Sequence, residues 1–342
     1  MMKTLKYILF LLLIGIIGTA IYVAVQPNEF DFSRSTVIKA PKSMIFNKVN
    51  DFKNWPDFSP WIEKEPNAEL NFGKKTSGVD GNYAWNGEIL GEGNMKTIAV
   101  ETDKKISQHI EFIKPFESRS NINWFFENTD AGTKVTWNMT GKQDFMTKMY
   151  TTFAGSIEEN TAADFERGLF KLDSIINADM KKYSVTIDGI TEYGGGFYMY
   201  KTTSATGANI SQIMGQQYGD IMRFMASQSI KQQGMPFTIY HNMDAAESGI
   251  IMSQAIPVQN KITVTGDSKV LCGYMPKTKA LKTTLKGNYT NLPKAWEAAQ
   301  KHVAENNIQQ SDMFPFEIYQ TDPDNVPNPA NWVTEIYIPI KE

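Results

Sequence analysis

Cysteine is nearly absent. Cys272 is the one thiol in 342 residues, which excludes an intrachain disulfide framework and a cysteine-based metal cluster. Histidine is almost as scarce: His109, His241 and His302 lie far apart with no HExxH spacing, so core or surface roles are expected and no metal site is. Positive charge is not in excess either. Lys and Arg number 34 against 37 Asp and Glu, a net charge of −3, and no basic field points to a nucleic-acid partner. Phosphate loops and nucleophile elbows are missing as well, with no GxGxxG, Walker-type or GxSxG match. The run Gly194-Gly195-Gly196 lacks a following GK[ST] and reads as a turn or bulge beside a strand. No cofactor is expected.

Apolar residues, by contrast, are plentiful. Hydrophobics make up 42% and aromatics 12% of the chain, enough to core two domains of ordinary size. Tyr7 to Val25 runs for 19 residues without a charge, about the length that crosses a hydrocarbon core. Lys3 and Lys6 precede it, and Glu29 and Asp31 follow. The positive-inside bias then predicts a retained single-span anchor over residues 1–27, N-terminus cytoplasmic and the folded domains extracytoplasmic. A cleaved signal peptide, with Gly18-Thr19-Ala20 as its cleavage site, is the alternative.

From Phe32 to about Met180 the pattern is α+β. Pro41 and Ser43 open a helix whose apolar positions Ile45, Phe46, Val49 and Phe52 have helical spacing. The turn NWPDFSPW then breaks it. Alternating pairs such as Tyr83/Trp85, Ile110/Phe112, Trp124/Phe126 and Val135/Trp137 predict an antiparallel sheet with one buried face. A long helix bearing Phe165, Leu169, Leu172 and Ile176 as its apolar stripe closes the unit. The opening STVIKAPKSMIFNKVNDFKNW, the aromatic turn and the ERGLFKL helix together resemble the START-like, or polyketide-cyclase/SRPBCC, superfamily. That resemblance implies a helix-grip domain over residues 28–180, a sheet wrapped on the long helix around an apolar cavity. Trp85, Phe112, Trp124 and Trp137 are candidates to line it, though ordinary core is the favoured role for each. The family shares no common catalytic motif to carry over.

Beyond a short polar joint, residues 185–342 read as a duplicated β-α-β-β module. PFTIY (Pro236 to Tyr240) echoes PFEIY (Pro315 to Tyr319), and SQAIPV (Ser253 to Val258) echoes EIYIPI (Glu335 to Ile340). Aligning Pro257 with Pro339 sets Ser253 opposite Glu335. A carboxylate in so apolar a run is costly unless something answers it, which makes Glu335 the leading candidate for a charged wall between the two copies; the alternative is a structural pair with a lysine such as Lys282 or Lys341. GNYTNLPKAW, PFEIYQTDP and WVTEIYIPI resemble the GyrI-like, or effector-binding, family. In that family an acidic residue of the last strand faces an aromatic pocket for cationic or amphipathic molecules, and Glu335 takes the matching place. Tyr289 matches an aromatic that opens the second helix region; Tyr198, Trp296, Tyr319, Trp332 and Tyr337 are candidate wall residues. Unlike the regulators of that family, the chain shows no helix-turn-helix.

These readings converge on membrane-anchored, non-catalytic capture of a small hydrophobic or cationic ligand at one or both cavities. Two alternatives stand beside it. One is a hydrolase of a reactive small molecule using Glu335 with a nearby tyrosine; the other is a tethered scaffold or interaction protein in which neither cavity is used.

Overall fold

The computed structural model describes residues 2–243, 249–264, 266 and 268–341, with the side chains of residues 2 and 3 left aside. It divides into two compact units, Met1–Ala178 and Asp179–Glu342. The mixed α+β class and the antiparallel character of both sheets agree with the expectation from periodicity.

The first unit opens with helix α1 (Met2–Val25). Its segment Thr4–Val25 is long and apolar enough to cross a bilayer, a test that a signal sequence also passes. Next come β1 (Glu29–Ile38), α2 (Lys42–Asn50), α3 (Trp55–Phe58), α4 (Pro60–Lys64), β2 (Glu69–Phe72), β3 (Asn82–Gly87), β4 (Gly91–Glu101), β5 (Lys105–Lys114), β6 (Ser118–Thr129) and β7 (Gly132–Lys142). Helices α5 (Phe145–Ala154) and α6 (Ile157–Met180) follow. The strands form one antiparallel sheet in the order β1-β7-β6-β5-β4-β3-β2. α6 lays Phe165, Leu169, Leu172 and Ile176 into the core, as its stripe predicts.

Stacked rings fasten that helix to the sheet. Trp137 lies between Trp124 at 4.3 Å and Phe165 at 4.2 Å, centroid to centroid. All three are fully buried. Short α4 is capped by Ser59, whose hydroxyl accepts from the Ile62 amide, with Pro60 at its first position.

The second unit contains β8 (Ser184–Tyr193), β9 (Gly196–Ala205), α7 (Ile210–Ser227), β10 (Phe237–Asn242), β11 (Ile250–Val258) and β12 (Leu271–Met275). It ends with β13 (Thr278–Lys286), α8 (Leu292–Glu305), β14 (Phe316–Tyr319) and β15 (Val333–Pro339). The glycine run forms the short connection from β8 to β9. Gly195 has φ +69°, and a Cβ there would sit 2.2 Å from the Met275 carbonyl oxygen.

One eight-stranded sheet results, in the order β12-β9-β11-β10-β14-β15-β13-β8. Its middle is two copies of one pattern, β9-β11-β10 and β14-β15-β13, related by a pseudo-two-fold between β10 and β14. The register confirms the repeat alignment. Ile239 faces Ser253 in the first copy as Ile318 faces Glu335 in the second. At the axis itself, Thr238 pairs with Glu317.

The residue Gly168 offers a direct check on the ring stack. Alanine is the better helix former by about 1 kcal/mol, yet its Cβ at this position would stand 2.6 Å from Trp137 Cζ3 and 3.2 Å from Pro60 Cδ. Overpacking of this kind costs about 1–3 kcal/mol. We expect Gly168→Ala to lower the unfolding midpoint of the first unit, as read by tryptophan fluorescence during denaturation. A raised midpoint would mean the rings yield without cost.

Candidate functional site

Strand alternation decides which side chains share a face. Cross-strand partners point the same way, so Glu317, Thr238, Gln254, Lys201 and Ile336 form a row across one face of the second sheet. Both helices cover this face. Trp296 reaches in from α8, and Tyr218 reaches in from α7.

Tyr218 meets Thr238, while Trp296 reaches the cross-strand neighbour of Thr238, Glu317, 1% exposed. Its Oε1 accepts from the Trp296 indole N–H at 2.5 Å. Its Oε2 accepts from the Tyr240 hydroxyl at 2.9 Å and the Tyr319 hydroxyl at 2.7 Å. The Tyr319 oxygen also lies 3.2 Å from the Thr238 hydroxyl, itself 3.0 Å from the Tyr218 hydroxyl. All of these groups are neutral. Among the described residues no Lys, Arg or His forms an ion pair with Glu317.

Burial pushes the Glu317 carboxyl above the ordinary range, against the opposing pull of its three donors. Burial and the neighbouring Glu317 raise Tyr240 and Tyr319 well above the usual phenol value, so both remain proton donors. Polar atoms in and beside the row stay unsatisfied: the Gln254 amide and the Thr334 hydroxyl are buried without a hydrogen bond among the described residues. Groups in that state cost free energy until a partner arrives.

The sequence-predicted residues fall on two sides of the sheet. Trp296 and Tyr319 touch Glu317 directly. Tyr289 packs on Tyr319 at 5.5 Å and on Trp332 at 4.8 Å, and these three rings are half-buried. They make an aromatic wall one side chain away from the carboxylate.

Tyr198, Tyr337 and Glu335 lie on the opposite face. Tyr198 packs edge-on to Phe237 at 5.2 Å, and Tyr337 stacks on Phe316 at 5.0 Å. Glu335 is paired with Lys282 at 2.7 Å and also accepts from Gln320 at 2.8 Å and Tyr337 at 2.9 Å. Although burial opposes it, these contacts hold the carboxyl below its usual range. The costly carboxylate expected at Glu335 is therefore answered within the protein, and the one lacking a cation is Glu317.

Sequence reasoning named neither Glu317 nor Tyr240, Tyr218 and Thr238 as site residues. A signal was present. PFTIY and PFEIY differ at a single position, and that position is the Thr238/Glu317 pair on the pseudo-axis.

The first unit has its own cavity, of about 60 Å³, lined by Trp61, Tyr83, Trp85, Leu90, Met95 and Phe112 among others. A water takes about 30 Å³ and a drug-sized ligand several hundred, so the space as it stands admits only a very small guest. Trp124 and Trp137 belong to the packed core instead. No group of three or more His, Cys, Asp or Glu is placed to hold a metal ion among the described residues.

Comparison with known proteins gives two family matches in chain order. Residues 38–170 match the family described as polyketide cyclase/dehydrase and lipid transport, and residues 198–341 match the GyrI-like small molecule binding domain. Among solved structures, the C-terminal domain of EcmrR is 20% identical and covers 47% of this chain and 98% of its own, with a TM-score of 0.39. EcmrR in a complex with DNA is 18% identical over 63% of this chain and 88% of its own, TM-score 0.40. Protein MLL2253 from Mesorhizobium loti is 14% identical over 44% of this chain and 98% of its own, TM-score 0.32. No curated protein matches the chain.

The Glu317 carboxyl yields a pH prediction with a definite sign. Its pKa is raised on folding, so the folded state binds the proton more tightly. The stability this contributes is complete below the unfolded value and is lost as pH rises through the folded one. In Glu317→Gln that loss should vanish, leaving the second unit as stable as the parent, or more so, at neutral pH. Thermal unfolding of both proteins between pH 4 and 8 makes the comparison; parallel curves would show that the carboxyl titrates normally. Glu335 carries the opposite sign. Breaking its pair by Lys282→Met should cost about 1–3 kcal/mol at neutral pH, given a partly buried pair.

Proposed function

For a chain that joins a polyketide-cyclase-like domain to a GyrI-like small-molecule-binding domain, we propose that the second unit captures an aromatic or amphipathic organic cation at Glu317. The reading rests on one observation: a buried carboxylate surrounded by neutral donors, with no ion-pair partner among the described residues. Such a group attracts a cation more strongly than an exposed one, because little water intervenes. Tyr289, Tyr319 and Trp332 supply ring faces for the same guest, each good contact adding about 0.5–2 kcal/mol.

In this scheme the ligand slides between Tyr289 and Tyr319 and takes the place of the Tyr319 hydroxyl on Glu317. Capture is non-catalytic. The apolar N-terminal helix anchors the chain in a membrane with its cytoplasmic end first, and both domains lie on the far side. Glu335 and its lysine serve as structure.

The experiment uses the full chain in detergent and a fluorescent aromatic cation such as ethidium. Glu317→Gln should weaken binding about tenfold to a hundredfold, the worth of a hydrogen bond to a charged partner, while Glu335→Gln leaves it within a factor of two or so. Because the cation selects the ionised carboxylate, parental affinity should climb with pH through the raised Glu317 pKa and then level off. Equal affinity of the parent and Glu317→Gln would sink the assignment. Turnover of an activated epoxide, lost in Glu317→Gln, would replace capture by hydrolysis.

A further inference from the structure

Helix α5 is built inside out. Its exposed stripe is Met146, Met149, Tyr150 and Phe153, at i, i+3, i+4 and i+7, and Phe153 is 74% exposed. The inward side carries Thr147, Lys148, Thr151 and Thr152. Packing against a protein core would require the reverse arrangement.

Lys148 is the reason the polar side turns inward. It is 5% exposed, and its ammonium donates to the Ala24 carbonyl at 3.2 Å and to Asn28 Oδ1. Ala24 lies in the last turn of α1, where carbonyls lack helical partners and a cation is favoured. α5 is thereby held against the C-terminal end of the span-length helix. When α1 crosses a bilayer, that end emerges at the level of the lipid headgroups.

An independent feature points the same way. Residues Glu29, Lys142, Ser118, Lys114, Gly91 and Gly87 lie at one end of the first sheet, as the strand registers show. This is the end at which α1 leaves off and α5 begins. Its two hairpin tips present large apolar side chains, Ile89 at 71% and Phe116 at 76% exposure. At the opposite end the two tight tips, Asp103-Lys104 and Asp130-Ala131, carry no exposed large apolar residue, and the longer β2–β3 connection exposes Val79 at 42%. Near the apolar end Lys114 pairs with Glu92 and Arg119 with Glu111, while the acids Glu88 and Glu117 flank the two tips. The patch consequently offers apolar contact with no net attraction for anionic headgroups.

We propose that this end of the first unit rests on a phospholipid surface, with α5 lying in the headgroup layer beside α1 and the Ile89 and Phe116 tips dipping into it. An apolar helical stripe of this kind buries about 5–10 Å into the headgroup and acyl boundary. The span and the surface together fix the orientation of the unit, which a single helix alone would leave free to swivel. The inference rests on α1 being in the membrane, part of the reading above.

The test separates the two. Full-length chain carrying Cys272→Ser receives one new cysteine at a time, Leu12→Cys, Phe116→Cys, Phe153→Cys or Lys104→Cys. Each is labelled with an NBD fluorophore and reconstituted at one copy per phosphatidylcholine nanodisc, which removes self-association as a source of signal. Labels at 12, 116 and 153 should show the blue shift and brightening of a lipid environment, and the label at 104 the emission of water. A buried label at 12 with aqueous labels at 116 and 153 would overturn the surface contact and leave the anchor standing. Aqueous emission at 12 would overturn both.

Discussion

The second unit is organised around a buried carboxyl, Glu317, that meets neutral donors and no cation among the described residues. Removing a carboxylate from solvent is expensive, and the usual remedy is an ion pair. Glu335 takes that remedy with Lys282. Glu317 does not: an indole and two phenols orient its oxygens, and no cation pairs with it among the described residues. The two carboxylates lie on adjacent strands, Glu317 opposite Ile336 and Glu335 opposite Ile318, and face opposite sides of the sheet; in the proposed reading one stabilises the fold and the other receives the guest.

The arrangement follows from the duplication. Each repeat contributes a strand to the central pair, and each places a helix over the same face. Side chains from both helices therefore meet over the β10–β14 pair, where Tyr218 and Trp296 converge. The half-buried rings of Tyr289, Tyr319 and Trp332 extend this polar centre towards solvent. In the first unit the rings are used differently. Trp124, Trp137 and Phe165 stack into solid core, and only a small space remains.

Much of this was legible along the chain. Strands with strict alternation, the stripe of α6 and the repeated PF-x-IY phrases all carry their periodicity locally, so the two sheets and the duplication could be read from residues alone. The site could not be read completely. Glu317 and Glu335 look alike in sequence, each a lone acid within an apolar strand. What separates them is the face they occupy and the presence of Lys282, far off in the chain but placed by the β13–β15 register. Helix α5 was hidden for a related reason. An apolar stripe does not say whether it turns inward, and here the buried Lys148 and its bond to Ala24 decide the matter.

The pseudo-axis also bears on the linkage of the two copies. Two identical half-length chains assembled about a true two-fold would bring the same residue against itself at Thr238/Glu317, about 5 Å apart. Two hydroxyls there would hold no charge, and two acids so close could not both ionise. A lone acid at that spot requires the two halves to differ, which one polypeptide carrying both copies allows by a change in a single codon. Joining the copies in one chain thus frees the axis from the self-pairing that symmetry would impose.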